Sequence, residues 1–245
     1  MSGHSKWNNI KNKKEKTDAQ KGKIFTKIGK EIAICVREGG GDPNTNGKLR
    51  DLIAKAKANT VPNDNIDRAI KKAMGAEAIQ YEEIVYEGYG PSGVAVIVET
   101  ATDSRNRTAS EVRHSFDKYG GNMGSTGCVS YMFDDKGIII LLKEDNEDAD
   151  EDALMEAALE AGAEDFASDE ESFEITTEVD DLRTVRDALE ALGYKIESAE
   201  EDKIPQTYVT LTDETDIKNM TTLLEKLEDN DDVQNVYHNW ENAEE

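Results

Sequence analysis

The sequence predicts a multidomain α+β protein: a helical bundle at the front, followed by two units built on strands. Three observations carry this expectation. Apolar residues recur with a helical period as far as Met74, and with the period of strands from Tyr81 onward. The stretch 137–200 reads strand, helix, strand, strand, helix, strand, which is the ferredoxin-like order. At 245 residues the chain also exceeds one average domain.

The elements follow in order. The first twenty residues carry Lys6, Lys11, Lys13, Lys14 and Lys16 among small polar residues, and read as a basic arm. Residues 21–38 form an amphipathic helix with Ile24, Ile28, Ile32 and Cys35 on one side. Lys23, Lys27, Lys30 and Arg37 fall on the other, within about 80° at about 100° per residue. Gly39-Gly40-Gly41 closes it. A second helix spans 46–58 on Leu49, Leu52, Ile53 and Ala56, flanked by Lys48, Arg50, Lys55 and Lys57. Val61-Pro62-Asn63 breaks it, and Asn63 opens a third helix that Gly75 ends.

Strands are expected at 82–88 and 94–101 around Gly88-Tyr89-Gly90-Pro91-Ser92-Gly93, then a helix at 104–119 and a short strand at 128–133. In the ferredoxin-like stretch the strands fall at 137–143, 163–167, 172–177 and 195–200, with helices at 151–161 and 179–192. Strand 206–212, helix 214–229 and strand 233–239 close the chain. These last pieces can complete the sheet begun at residue 82, which would make the ferredoxin-like unit an insertion; order alone does not decide it. The domains expected are 1–78, then 79–134 with 204–240, then 135–203, and a tail at 241–245.

Composition narrows function. The chain is 37% hydrophobic, 33% charged and 6% aromatic, with a formal charge of −24. That charge is unevenly placed. Residues 1–75 hold 17 Lys and Arg against 8 Asp and Glu, a net +9, leaving 12 against 45, a net −33, for the remainder. Residues 135–203 alone carry 6 basic and 25 acidic side chains. A basic end on an acidic body suggests a polyanion ligand met in one orientation. The alternative is that the charge blocks are solvated faces. Apolar runs such as Ile138–Leu142 are far too short to span a membrane. The opening MSGHSKWNNIKNKK has no apolar stretch, and Ser2 stands where myristoylation needs glycine. A cytoplasmic protein without membrane attachment is expected. Cys35 and Cys128 fit neither a disulfide framework nor a zinc pattern.

Motifs of chemistry are few. Gly88–Gly93 spells GxGxxG, but a Val/Ile strand follows where a dinucleotide fold needs a helix, so a hairpin connection is the better reading. Gly41–Lys48 has five residues between its glycines, and Leu49 replaces the P-loop Ser/Thr. Asp148, Asp150 and Asp152 open like a calcium loop, yet Ala153 and Leu159 stand where glycine and glutamate belong. His4, His114 and His238 lack metal-ligand spacing. Ser110, His114 and Asp117 share a helix face without an oxyanion hole. No enzyme, cofactor or metal is expected.

What remains is basic. Lysine and arginine neutralise phosphates without regard to base sequence. Trp7 can stack on a base or anchor the arm on the bundle. Arg105 and Arg107 stand where a helix opens, and the dipole there disfavours cations. Either they hold an anionic ligand with the helix N–H groups, or they pair with the domain's own acids. GGNMGSTG at 120–127 suits a close approach to a backbone, or is a plain turn.

GHSKW at 3–7, the run Lys23 to Arg37, GGGDP at 39–43, NDNIDRAIKKAMG at 63–75, SRNRTASEVRH at 104–114 and GGNMGSTGCVSYMF at 120–133 closely resemble the YebC/PmpR family. The likeness covers essentially the whole chain. Lys21 stands where the family often has arginine, Val61 where it often has methionine and Cys128 where it usually has serine. The resemblance implies a helical bundle and two α+β domains, the ferredoxin-like one inserted into the other. It implies a DNA-binding transcriptional regulator or, in some members, a ribosome-associated translation factor that relieves stalling, including at proline runs.

The expectation is therefore a nucleic-acid-binding regulator. Lys6, Lys11, Lys13, Lys14, Lys23, Lys27, Lys30, Arg37, Lys55 and Lys57 would grip phosphates, Trp7 would lie among them, and Arg105 and Arg107 would make a second contact. The ligand is DNA, or ribosomal or transfer RNA. Residues 46–74 can place a helix in a major groove, but no Arg/Asn/Gln set for base edges is visible. The acidic unit would face solvent, the ribosome or a basic protein partner. A monomer is expected.

Overall fold

A computed structural model of the chain describes residues 18–241. Met132–Gln206 forms one compact unit, and the described residues before and after it form a second.

The second unit begins with three helices, α1 (Asp18–Gly39), α2 (Gly47–Ala58) and α3 (Asn63–Ala73). Their shared core is Ile28, Ile32, Cys35, Val36, Leu49, Ala56, Val61 and Ile66, the apolar stripes that the helical period marks out. Asn46 caps α2 by accepting from the Leu49 N–H at 3.1 Å. Its amide also donates to the Cys35 and Gly40 carbonyls, stitching α2 to the end of α1. Both ends of one loop are thereby fixed by a single side chain.

After the bundle come β1 (Glu82–Tyr89), β2 (Ala95–Thr102), α4 (Arg105–Lys118) and β3 (Asn122–Met123). Following the first unit, α7 (Glu214–Glu228) and β8 (Val233–His238) return to the same sheet, whose order is β3-β1-β2-β8. Every pairing in it is antiparallel. Val94, Val96 and Val98 meet Val112 and Phe116 of α4 and Met220, Leu223 and Leu227 of α7 in one core. GxGxxG is the β1–β2 connection, a tight turn at Pro91–Gly93 with Ser92 and Gly93 at positive φ.

The first unit contains β4 (Phe133–Leu142), α5 (Glu151–Ala161), β5 (Asp165–Ser168), β6 (Ser172–Thr177), α6 (Leu182–Ala191) and β7 (Ser198–Pro205). Its antiparallel sheet has the order β5-β6-β4-β7, the ferredoxin-like arrangement. Leu154, Ala158, Val185 and Leu189 of the helices pack on Ile139, Leu141, Phe173 and Ile175.

Three expected strands differ. Residues 128–133 hold a short 3-10 turn at Ser130–Met132, and the strand begins only at Phe133. The strand expected at 195–200 runs instead over Ser198–Pro205, because β4 offers it partners back to Phe133. Residues 206–212 make one isolated bridge, Val209 with Trp240. Their backbone serves only two ladder bonds there, between Val209 N–H and Asn239 O and between Glu241 N–H and Val209 O.

Candidate nucleic-acid interface

The basic side of α1 does not face solvent as a free stripe. It lies along the turn between α7 and β8. Lys23 Nζ meets Asp229 Oδ1 at 2.8 Å, and Lys27 Nζ donates to the Glu228 carbonyl at 3.0 Å. That carbonyl belongs to the last residue of α7, where the helix dipole leaves negative charge that a lysine complements. Arg37 Nη1 donates to the Tyr81 carbonyl at 2.8 Å.

Lys30 is the deepest member, with a residue exposure of 8%. Its ammonium donates to Asp232 Oδ1 at 2.5 Å, to the Asp231 carbonyl at 2.8 Å and to the Ala101 carbonyl at 3.2 Å. Those three acceptors use all three of its protons. Asp232 Oδ2 in turn accepts from Arg107 at 2.6 Å, Thr108 Oγ1 at 2.7 Å and Thr102 Oγ1 at 3.2 Å. Burial pushes this carboxyl up, but hydrogen bonds from Lys30, Arg107 and Thr108 outweigh it and hold it at about 2. Asp229 is also lowered, chiefly by its bond from Lys23.

Arg107 therefore takes the internal option, bridging Asp103 at 2.8 Å and Asp232. Those same bonds raise its own pKa further above the arginine range. Arg105 is exposed and forms no ion pair with a described residue; its carbonyl accepts from Tyr86 Oη. A cleft of about 460 Å³ opens beside Lys30 and Arg107, but Asp103, Glu111, Asp229, Asp231 and Asp232 outnumber them on its walls. Such a cleft repels phosphate.

Lys55 sits 3.6 Å from Glu31, while Lys57 is exposed and forms no ion pair with a described residue. Three cations outside the expected set behave like Lys57. Arg68, Lys71 and Lys72 are exposed on α3 and form no ion pair with described residues. They lie opposite Ile66, Ala69 and Ile70, which enter the bundle core. Arg50 on α2 is likewise exposed with no ion pair to a described residue, in line with Lys57 two turns on. Lys6, Trp7, Lys11, Lys13 and Lys14 lie outside the described residues.

Two buried acids organise this unit, and periodicity marks neither. Asp232 sits in Asp229-Asn-Asp-Asp, which reads as a solvated turn. Glu87, 3% exposed in β1, accepts from the backbone N–H groups of Gly127, Val129 and Ser130 at 2.7–2.8 Å. Burial raises this carboxyl, and those three bonds bring it below the ordinary range. The glycine-rich loop is thus anchored on Glu87. Its close approach is to the chain's own β1: a Cβ on Gly121 would lie 2.6 Å from the Tyr89 carbonyl. Ser110, His114 and Asp117 are exposed on α4. No cluster of potential metal ligands occurs among the described residues. No described helix is long and apolar enough to cross a membrane.

A helical bundle, then a sheet whose last strand comes after a ferredoxin-like unit in the chain, defines a class of multidomain α+β protein. Residues 5–76 match the model for the N-terminal domain of TACO1/YebC proteins, and residues 81–240 match that for their second and third domains. The chain belongs to the TACO1/YebC family. A protein of Acetivibrio thermocellus named a probable transcriptional regulatory protein is 62% identical over 241 residues, 98% of this chain and 99% of its own. One of the same name from Lachnoclostridium phytofermentans is 59% identical, covering 98% and 100%. The crystal structure of a conserved hypothetical protein of Aquifex aeolicus superimposes with a TM-score of 0.82 at 46% identity, covering 92% of each chain.

Proposed function

We propose that this protein is a DNA-binding transcriptional regulator whose N-terminal domain grips phosphates through the outer faces of α2 and α3 and through the arm. The observation that carries the reading is the division of its cations. Lys23, Lys27, Lys30 and Arg37 are engaged by the chain's own acceptors, whereas Arg50, Lys57, Arg68, Lys71 and Lys72 are exposed without ion pairs to described residues. Cations not already neutralised are those that can release counterions from DNA. Lys6, Lys11, Lys13 and Lys14 supply further positive charge in the sequence ahead of the bundle, and Arg105 adds a contact at the start of α4. Lys55, beside Glu31, is a weaker contributor. The names of the relatives support a regulatory role. The acidic body keeps the duplex on the bundle side, since phosphate is repelled elsewhere.

Duplex affinity measured across a salt series tests this. Arg68→Ala, Lys71→Ala and Lys72→Ala together should flatten the log–log salt slope by about 2.7, at about 0.9 for each phosphate left without its cation. Lys23→Ala with Lys27→Ala should leave the slope nearly unchanged. An unaltered slope in the α3 triple variant would remove this face from the mechanism. Tighter retention on ribosomes than on duplex at matched salt would shift the target to RNA, read through shape and backbone.

A further inference from the structure

The basic side of α1 meets the turn between α7 and β8 at two depths. At the inner end the Lys30–Asp232 pair is buried, and opening it would strand both charges. At the outer end the Lys23–Asp229 pair is exposed, and so is the bond from Lys27 to the Glu228 carbonyl. An exposed pair of this kind is worth little and exchanges with salt and solvent. Lys30 on Asp232 and Arg37 on the Tyr81 carbonyl keep α1 in place whether the outer pair is closed or open. The inner end fixes the bundle on the sheet, and the outer end can open without moving it.

We propose that the outer end is an autoinhibitory clasp: Asp229 occupies Lys23 directly and Lys27 through its charge, and opening hands both lysines to a polyanion. The clasp rests on the phosphate-binding reading of the helical bundle and adds a restraint to it. The Asp229 carboxyl is lowered chiefly by the Lys23 bond, with the charges of Lys226 and Lys27 adding to it, so one carboxylate serves two α1 lysines. It stands in the turn Glu225 to Asp232, where five of eight residues are acidic. An approaching polyanion is therefore repelled until the lysines swing out. Four residues apart, Lys23 and Lys27 lie about 6 Å from each other along α1, close enough for one sugar–phosphate strand to take both. Closed, the clasp leaves two cations that add nothing to the salt slope. Open, each adds about 0.9.

Elution from immobilised heparin, a polyanion without bases, tests the clasp in the full-length protein, alongside duplex affinity across a salt series. Asp229→Asn should elute later and bind duplex roughly threefold or more tightly at about 0.1 M salt, with a slope steeper by about 0.9 to 1.8. Asp231→Asn removes an equal charge two residues away, from a carboxylate with no ion pair to a described residue. It should give less than half of that gain. Adding Lys23→Ala and Lys27→Ala to Asp229→Asn should abolish the gain relative to the same lysine variants alone. Equal shifts from Asp229→Asn and Asp231→Asn would overturn the clasp, as would a gain that persists without the two lysines. A lysine-dependent gain on heparin, combined with an unaltered duplex slope in the α3 triple variant, would sustain the clasp and sink the DNA reading.

Discussion

Replacing Asp232 with asparagine should destabilise the protein far more than the same change at Asp229, although both are acids paired to lysines of α1. Asp232 has a side-chain exposure of 6% and its partner Lys30 one of 10%, whereas the Asp229–Lys23 pair is 59% and 38% exposed. The Asp232 carboxyl falls from its ordinary 3.8 to about 2 in the fold. At about 1.4 kcal/mol per pH unit, its charge supplies roughly 2.5 kcal/mol at neutral pH. Asparagine removes that charge and leaves the Lys30 ammonium buried without its counterion, so Asp232→Asn should cost about 3 kcal/mol. Asp229→Asn should cost under about 1 kcal/mol, because water screens that pair. Urea unfolding followed by circular dichroism measures both. Because a depressed acid stabilises above its unfolded pKa, the gap between wild type and Asp232→Asn should be full above pH 3.8. It should shrink as pH falls through about 2. Equal losses at the two positions would refute the hub, as would a gap that does not change between pH 5 and pH 2.

Glu87→Gln should cost about 2 kcal/mol, since an amide supplies one acceptor oxygen where three N–H groups now converge on two. Hydrogen exchange at Gly127, Val129 and Ser130 should speed up together, and unchanged protection would show that the carboxylate does not hold the loop. Gly88→Ala should lower stability by about 2 kcal/mol through overpacking, because its Cβ would lie 2.6 Å from the Asn122 carbonyl and 3.0 Å from Phe116. Gly93→Ala meets no atom within 4 Å but holds a φ of 81°, so only the backbone penalty of about 1 kcal/mol applies. Thermal melts that rank Gly93→Ala as the more harmful would contradict the close contact.

The elements that were legible in the sequence are those whose own residues stabilise them through an apolar face. Ile28, Ile32 and Cys35 mark α1, and Leu154 with Ala158 marks α5, because each stripe enters a core directly below it. Strand limits depend on a neighbour that is distant in sequence. β7 runs on to Pro205 because β4 pairs with it back to Phe133, and no property of residues 201–205 alone says so. Residues 206–212 have strand-like composition but find only one bridge, at Val209. For the candidate site, sign was legible and address was not. Lys71 and Lys72 pass for the basic last turn of a helix that complements its dipole, and Arg68 for part of a solvated face. Only their lack of ion pairs to described residues sets them apart from the α1 lysines.

That difference turns on which acids fold back onto the bundle. A lysine at a helical spacing from other lysines is as consistent with a ligand's phosphates as with the carboxylates of a later element. The two cases differ by about 200 residues of intervening chain, since Lys30 and Asp232 are 202 positions apart. The chain's −33 outside residues 1–75 makes the second case common here. Lys23 and Lys30 meet Asp229 and Asp232, while Lys136 meets Glu164 and Glu178 within the ferredoxin-like unit. In a strongly acidic protein, each basic group first faces competition from its own chain, where the carboxylate is covalently tethered and needs no search. A polyanion can recruit only those cations the fold has left unneutralised. Net charge per domain therefore overstates the binding surface, and the salt slope of the α3 variants measures the surplus that remains.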